Sequence, residues 1–199
     1  IPPSDFIPVA EQTGAIRAID RHAFDQVLGL LASTAGHGYI NVNLSARSLL
    51  DPDWIDAAIA TWQRAAGGPG SLRMEITETA LLTDAGVVRN HLQRLVDAGI
   101  PVVLDDFGTG YSSLSHISSF PISGLKVDRS FVSRLTDVDR DARIVRGIVA
   151  LGSDLGLSVT AEGIETESQL DTLLTLGCPL GQGLLFGAPR PLAAGQAIA

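Results

Sequence analysis

Cysteine occurs once among the 199 residues, as Cys178, so no internal disulfide can form and no cysteine cluster can hold zinc. Apolar runs are short, and none approaches the roughly 20 residues that a membrane helix needs. The opening Ile1-Pro2-Pro3-Ser4-Asp5 has neither the basic nor the apolar region of a secretory signal. Basic residues are outnumbered, 14 Lys and Arg against 22 Asp and Glu, for a formal net charge of −8. That balance argues against a sequence-independent grip on DNA or RNA. An anionic ligand would have to be neutralised by something other than surface lysines. These absences together predict a cytoplasmic domain with no nucleic acid polymer as partner and no membrane contact of its own.

Hydrophobic residues make up 45 % and charged residues 18 %, enough apolar surface to close a core and too much for a disordered chain. The length suits a single domain over residues 1–199. Helical spacing appears at Ile16, Ile19, Ala23, Val27 and Leu30, and again at Ile144, Ile148, Leu151 and Leu155. A third stripe, Val88, Leu92, Leu95 and Val96, follows Thr83-Asp84, which suits a helix start. Thr166 with Gln169 reads as a capping box before Leu170, Leu173 and Leu174.

Six short apolar runs of strand length lie between these helices: Tyr39–Leu44, Leu72–Ile76, Val102–Asp105, Gly124–Asp128, Leu157–Glu162 and Pro179–Gly183. Strands alternating with helices predict βα units and parallel strands. Within the runs, apolar and polar residues hold opposite parity. Leu72, Met74 and Ile76 alternate with Arg73, Glu75 and Thr77, and Leu125 and Val127 alternate with Lys126 and Asp128. Each strand therefore has one apolar and one polar face, whereas a sheet covered by helices on both sides reads as a continuous apolar run. The pattern predicts an α/β (β/α)8 TIM-type barrel, with chemistry at the C-terminal strand ends. The alternative is an open sheet whose strand ends are simply solvated.

Asn43, Glu75, Asp105, Lys126, Asp128, Glu162 and Gln182 all fall at such ends. Like charges packed together repel by about 4 kcal/mol per pair at an effective dielectric near 20. A convergence of Glu75, Asp105, Asp106, Asp128 and Glu162 therefore needs protons or cations. Oxygen-only donors select hard ions such as Mg²⁺, Mn²⁺ or Ca²⁺. The adjacent Asp105-Asp106 pair suits a carboxylate shared by two ions, the clamp used to cleave phosphate esters. Acids also cap helix N-termini, which accounts for Asp84 or Asp137 but not for Glu75 and Glu162 on the polar parity of strands. Lys126 reads either as a plain ion pair or as a group that orients water and stabilises phosphate charge.

Other chemistries find no support. Asp106-Phe107-Gly108 matches the kinase metal triplet without its companion motifs, and Gly108-Thr109-Gly110 falls short of a dinucleotide fingerprint. There is no phosphate-binding loop, nucleophile elbow or His-Glu-x-x-His. His22, His37, His91 and His116 lie off the strand ends and read as surface or helix residues.

Seven segments occur in a telling order: Phe6-Ile7-Pro8-Val9-Ala10-Glu11, Asn41-Val42-Asn43-Leu44-Ser45, Glu75-Ile76-Thr77-Glu78, Asp105-Asp106-Phe107-Gly108-Thr109-Gly110, Leu125-Lys126-Val127-Asp128, Glu162-Gly163-Ile164-Glu165 and Gln182-Gly183. Through them the chain closely resembles the bacterial EAL-domain family across nearly its whole length. The resemblance implies a barrel enzyme that uses two Mg²⁺ or Mn²⁺ ions to open cyclic di-GMP to linear pGpG. Carried over by motif, Asn43, Glu75, Asp105 and Asp106 would be metal ligands, and Asp128 would lie beside the second metal. Glu162 would be the general base or a further ligand, with Lys126 and Gln182 positioning water and phosphate. Glu78 and Glu165 would support the loop from Phe107 to Ser113, which in the family couples substrate binding to homodimerisation. The Glu-Ala-Leu segment that names the family, its glutamate a metal ligand, belongs upstream of Ile1, as do the first two barrel strands. The parent protein would carry sensory or cyclase domains. The rival readings are a cyclic di-GMP receptor or signalling scaffold without turnover, and a barrel hydrolase of another phosphate ester.

Overall fold

The computed structural model describes residues 1–33, 38–65, 71–110, 117–135 and 140–190. His37, His116, Asp137 and loop residues 111–113 lie outside them. The described chain forms two compact units, Ile1–Val102 and Val103–Pro191.

In the first unit, α1 (Pro3–Thr13) starts with proline at its first position and stops at Gly14, whose φ of 83° is left-handed. Helix α2 (Ile16–Ser33) follows, then β1 (Ile40–Asn43), the short α3 (Ala46–Leu49), α4 (Pro52–Arg64) and β2 (Leu72–Thr77). A 3₁₀ turn (Glu78–Leu82) leads into α5 (Ala85–Asp97). Strands β1 and β2 pair in parallel, with Asn43 opposite Glu75. Leu72, Met74 and Ile76 are buried together with Phe24, Leu49, Ile55, Leu92 and Leu95, each contributing about 1.5–3 kcal/mol of hydrophobic stabilisation.

The second unit holds β3 (Val102–Phe107), β4 (Gly124–Val127), α6 (Arg129–Val132), α7 (Arg140–Asp154), β5 (Ser158–Ala161), α8 (Glu167–Thr175), β6 (Leu180–Gly181) and a 3₁₀ turn at Leu184–Phe186. Strands β3 to β6 pair in sequence order, all parallel, with an irregularity between Leu104 and Phe107. All six expected strands are present, each trimmed by one to three residues or extended past its expected end. The expected starts also hold. Asp84 accepts from the Val87 amide to cap α5, and Thr166 and Gln169 form the reciprocal capping box of α8.

Two helices are turned by one residue from the apolar stripes. On α2 the buried line is Ile16, Asp20, Phe24 and Leu28, and on α7 it is Ala142, Val145, Ile148 and Gly152. A hydrophobicity pattern overlooks a buried aspartate and a glycine. Yet Gly152 is what lets α7 approach β5, since a Cβ there would stand 2.2 Å from Val159 Cγ2. His91 is buried on α5 with its Nδ1 2.7 Å from the Leu49 carbonyl oxygen. The nitrogen must therefore donate, and the ring is a core residue of the helix. His22 is exposed on α2.

Candidate functional site

The second unit gathers its polar groups at the C-terminal ends of parallel strands. Lys126 is central to β4, a strand buried along its whole length, and is itself only 4 % exposed. Its Nζ lies 2.5 Å from Glu162 Oε1 and 3.2 Å from Asp105 Oδ1, so one ammonium bridges an acid within β3 and the acid that follows β5. Glu162 Oε1 also accepts from Gln182 Nε2 at 2.7 Å. Donor oxygens of Asp105, Asp106 and Glu162 all lie within 4.8 Å of one another.

Backbone geometry holds these groups in place. Asp106 has a φ of 54°, rare for a residue with a side chain, and its amide donates to Asp105 Oδ1 at 3.0 Å. The turn aims two consecutive carboxyls at one region. Gln182 is held through its neighbour, because a Cβ on Gly183 would meet the Ile164 oxygen and nitrogen at 2.1 and 2.2 Å. Only glycine admits that approach. Gln182 O then accepts from Ile164 N, and Ile164 O from Leu185 N.

The crowding of acids marks their protonation. Burial first, then the charges of Asp105 and Asp128, push the Asp106 carboxyl above the ordinary range. Burial also acts to raise Asp128, but hydrogen bonds from the Ser130 hydroxyl and amide outweigh it and hold Asp128 below that range. The side-chain hydrogen bond between Asp106 and Asp128 acts in opposite directions on the two, raising the first and lowering the second. Asp128 additionally caps α6 through the Ser130 amide at 2.9 Å, a capping role that the sequence suggested for other acids. A cavity of about 1070 Å³ adjoins Glu162, Glu165, Gln182, Arg129, Phe186 and Arg190, large enough for a drug-sized ligand.

In the first unit, Asn43 ends β1 with its side chain exposed, and Glu75 on β2 is 6 % exposed. Both line a cavity of about 700 Å³ with Phe6, Ile7, Arg47 and Thr79. Glu75 Oε1 accepts from Asn41 Nδ2 at 2.6 Å. The turn after Asn43 is tied to α2 by buried Asp20, whose Oδ2 accepts from the Ser45 hydroxyl at 2.6 Å and amide at 3.1 Å. Glu78 is buried in the 3₁₀ turn, while Glu165 is exposed and donates its amide to Gln169 Oε1 at 2.8 Å. Sequence reading passed over Asn41, Asp20 and Arg129. The first shares the parity of Asn43, and the last directly follows Asp128, so both signals were present. Asp20 gave none, being one polar residue in an amphipathic helix.

Asp105, Asp106 and Glu162 offer oxygen donors alone, close together, and Asp106 is pushed toward its neutral form by burial and by the charges of Asp105 and Asp128. Such a set fits a hard divalent cation, which relieves that repulsion as a proton does.

Parallel strands ending in an oxygen-rich cluster define an α/β protein with a site suited to divalent-cation chemistry. The chain belongs to the EAL domain family, whose match runs over residues 1–189. It is 39 % identical over 195 residues to the bifunctional diguanylate cyclase/cyclic di-GMP phosphodiesterase MucR of Pseudomonas aeruginosa, covering 96 % of this chain and 28 % of that protein. The PaMucR phosphodiesterase solved in complex with c-di-GMP matches with a TM-score of 0.86 and 39 % identity over 96 % of this chain and 85 % of that one. The EAL domain of Mycobacterium smegmatis DcpA matches with a TM-score of 0.71 and 38 % identity, covering 76 % of this chain and 68 % of that one. The chain spans about a quarter of the length of the curated relatives it matches. The fold is thus of the TIM type expected, as in those EAL domains. Among the described residues no helix is long and apolar enough to cross a membrane.

Proposed function

We propose that this chain is a single EAL domain, part of a cytoplasmic signalling protein, that hydrolyses cyclic di-GMP to linear pGpG. The observation that carries the reading is the packing of Asp105, Asp106 and Glu162 around Lys126 and Gln182, in a chain of this family. Asn43, Glu75, Asp105, Asp106 and Asp128 would hold two Mg²⁺ or Mn²⁺ ions. When bound, these supply Lewis acidity, easing loss of a proton from water and neutralising phosphate charge.

The residues divide the remaining tasks. Glu162 takes the proton of the attacking water as general base. Gln182, donating to Glu162 Oε1, fixes the direction in which that carboxylate accepts. Lys126 stands where negative charge develops on the phosphate oxygens and pairs with Glu162. The water oxygen bonds to phosphorus, the P–O3′ bond breaks, and the leaving 3′ oxygen takes a proton, giving a 3′-hydroxyl and a terminal 5′-phosphate. By the family resemblance, Glu78 and Glu165 would be supporting acids rather than ligands, and the active form would be a homodimer.

Incubation of a form extended upstream through the Glu-Ala-Leu segment with cyclic di-GMP and Mg²⁺ or Mn²⁺, the products separated by chromatography, tests the reading. Accumulation of pGpG that Asp105→Asn abolishes is the expected result. A form extended upstream through the Glu-Ala-Leu segment that binds the dinucleotide yet never yields pGpG would make the domain a receptor. Equal competition by unrelated phosphodiesters would point to another ester as substrate.

A further inference from the structure

The buried Glu75 carboxylate receives its hydrogen bond from Asn41 across a strand pair. In the parallel register of β1 and β2, Asn43 stands opposite Glu75 and Asn41 opposite Arg73. The 2.6 Å bond from Asn41 Nδ2 to Glu75 Oε1 is therefore a diagonal one, reaching forward along the sheet. The amide thus presents its nitrogen to Glu75 as the donor. Its oxygen Oδ1 is then turned elsewhere, buried and without a hydrogen-bond partner among the described residues. A buried, unmet acceptor is unfavourable. A β-branched apolar residue would fill the same place on a strand without that penalty. Packing alone does not account for asparagine here.

We propose that Asn41 is a positioning residue that sets the rotamer of Glu75 for binding a divalent cation, which rests on the reading of Glu75 as a ligand. The donor's neutrality is what suits it to this task. An amide restrains one carboxylate oxygen while leaving the negative charge in place for a cation. A lysine or arginine at position 41 would orient Glu75 equally well but would compete with the ion for its charge. Lys126 illustrates that other case, since its ammonium contributes charge to Asp105 and Glu162. Partners that orient metal-binding side chains typically change metal affinity about 10–100-fold when removed.

The experiment is a Mn²⁺ titration of the metal-stripped protein, followed by calorimetry and by the loss of the free-ion paramagnetic resonance signal. Three proteins are compared: the parent, Asn41→Val and Glu75→Gln. The expected result for Asn41→Val is Mn²⁺ affinity about 10–100-fold weaker at one site, with an unchanged circular dichroism spectrum and an apo melting temperature no lower than the parent's. If Asn41→Val binds Mn²⁺ like the parent while Glu75→Gln is weakened, Glu75 is a ligand and the inference about Asn41 falls. If Glu75→Gln also binds like the parent, the ligand assignment itself falls, and the inference with it. Asn41→Gln, which keeps the amide but displaces it by one methylene, makes the same comparison should the valine variant not fold. Weakened binding in it supports the inference, and parent-like binding overturns it.

Discussion

Removing the Lys126 ammonium leaves Asp105 and Glu162 without the charge that now lies between them. Breaking a buried ion pair from one side costs about 3–5 kcal/mol. Lys126→Met is therefore expected to lower the urea unfolding free energy by about 3 kcal/mol in the presence of a chelator. Added Mn²⁺ should recover part of that loss, because a cation substitutes for the ammonium, and an unchanged midpoint would contradict the role. Gly183 and Gln182 separate geometry from chemistry. Gly183→Ala brings a methyl into the Ile164 backbone and should lower both the melting temperature and hydrolysis. Gln182→Ala removes only the donor to Glu162. It should slow hydrolysis about 10–100-fold while thermal unfolding stays within about 0.5 kcal/mol of the parent. Loss of stability in both variants alike would sink the distinction.

At the scale of elements, Asp51 links two helices of the first unit. It caps α4 by accepting from the Asp53 and Trp54 amides, and it pairs with Arg17 of α2 at 2.6 Å. Burial acts to raise its pKa, but the Arg17 hydrogen bond and the two amide bonds outweigh it and leave Asp51 below the ordinary carboxylate value. A depressed folded pKa gives stability that is present above the unfolded value of about 3.9 and lost as pH falls through the folded one. Asp51→Ala should cost about 1 kcal/mol at pH 7, and the difference from the parent should shrink in urea titrations carried down to pH 3. A difference independent of pH would show that the carboxylate charge contributes nothing. This cap follows from a sequence rule, Asp followed by Pro at the first helical position, whereas the Arg17 partner does not. The rotated faces of α2 and α7 teach the same lesson. Apolar spacing marks a helix but misjudges its buried line where Asp20 or Gly152 occupies the centre, because hydrophobicity registers neither a satisfied buried carboxylate nor a close backbone approach.

At the scale of the whole chain, a net charge of −8 and the dianionic substrate proposed for it would repel each other unless cations intervene. Chelation should bring hydrolysis to background, and Mg²⁺ or Mn²⁺ should restore it. Restoration by neither ion would refute the metal requirement. The single thiol reports on the second unit. Cys178 is buried, and burial pushes its pKa up. It should react with a disulfide reagent far more slowly in the native protein than in urea, and equal rates would mean that the unit opens freely.

The sequence by itself determined the strands, the helix caps and the roster of acids. Those signals arise from backbone periods of 2 and 3.6 residues and from side chains bonding within one turn of their own position. Tertiary structure alone decided which atoms meet. It gave Glu75 to Asn41 rather than Asn43, stretched Lys126 across two carboxylates, joined Asp106 to Asp128, and drew His91 into the core. Such choices depend on strand register, side-chain reach and exclusion of water, which come into being only when distant segments pack.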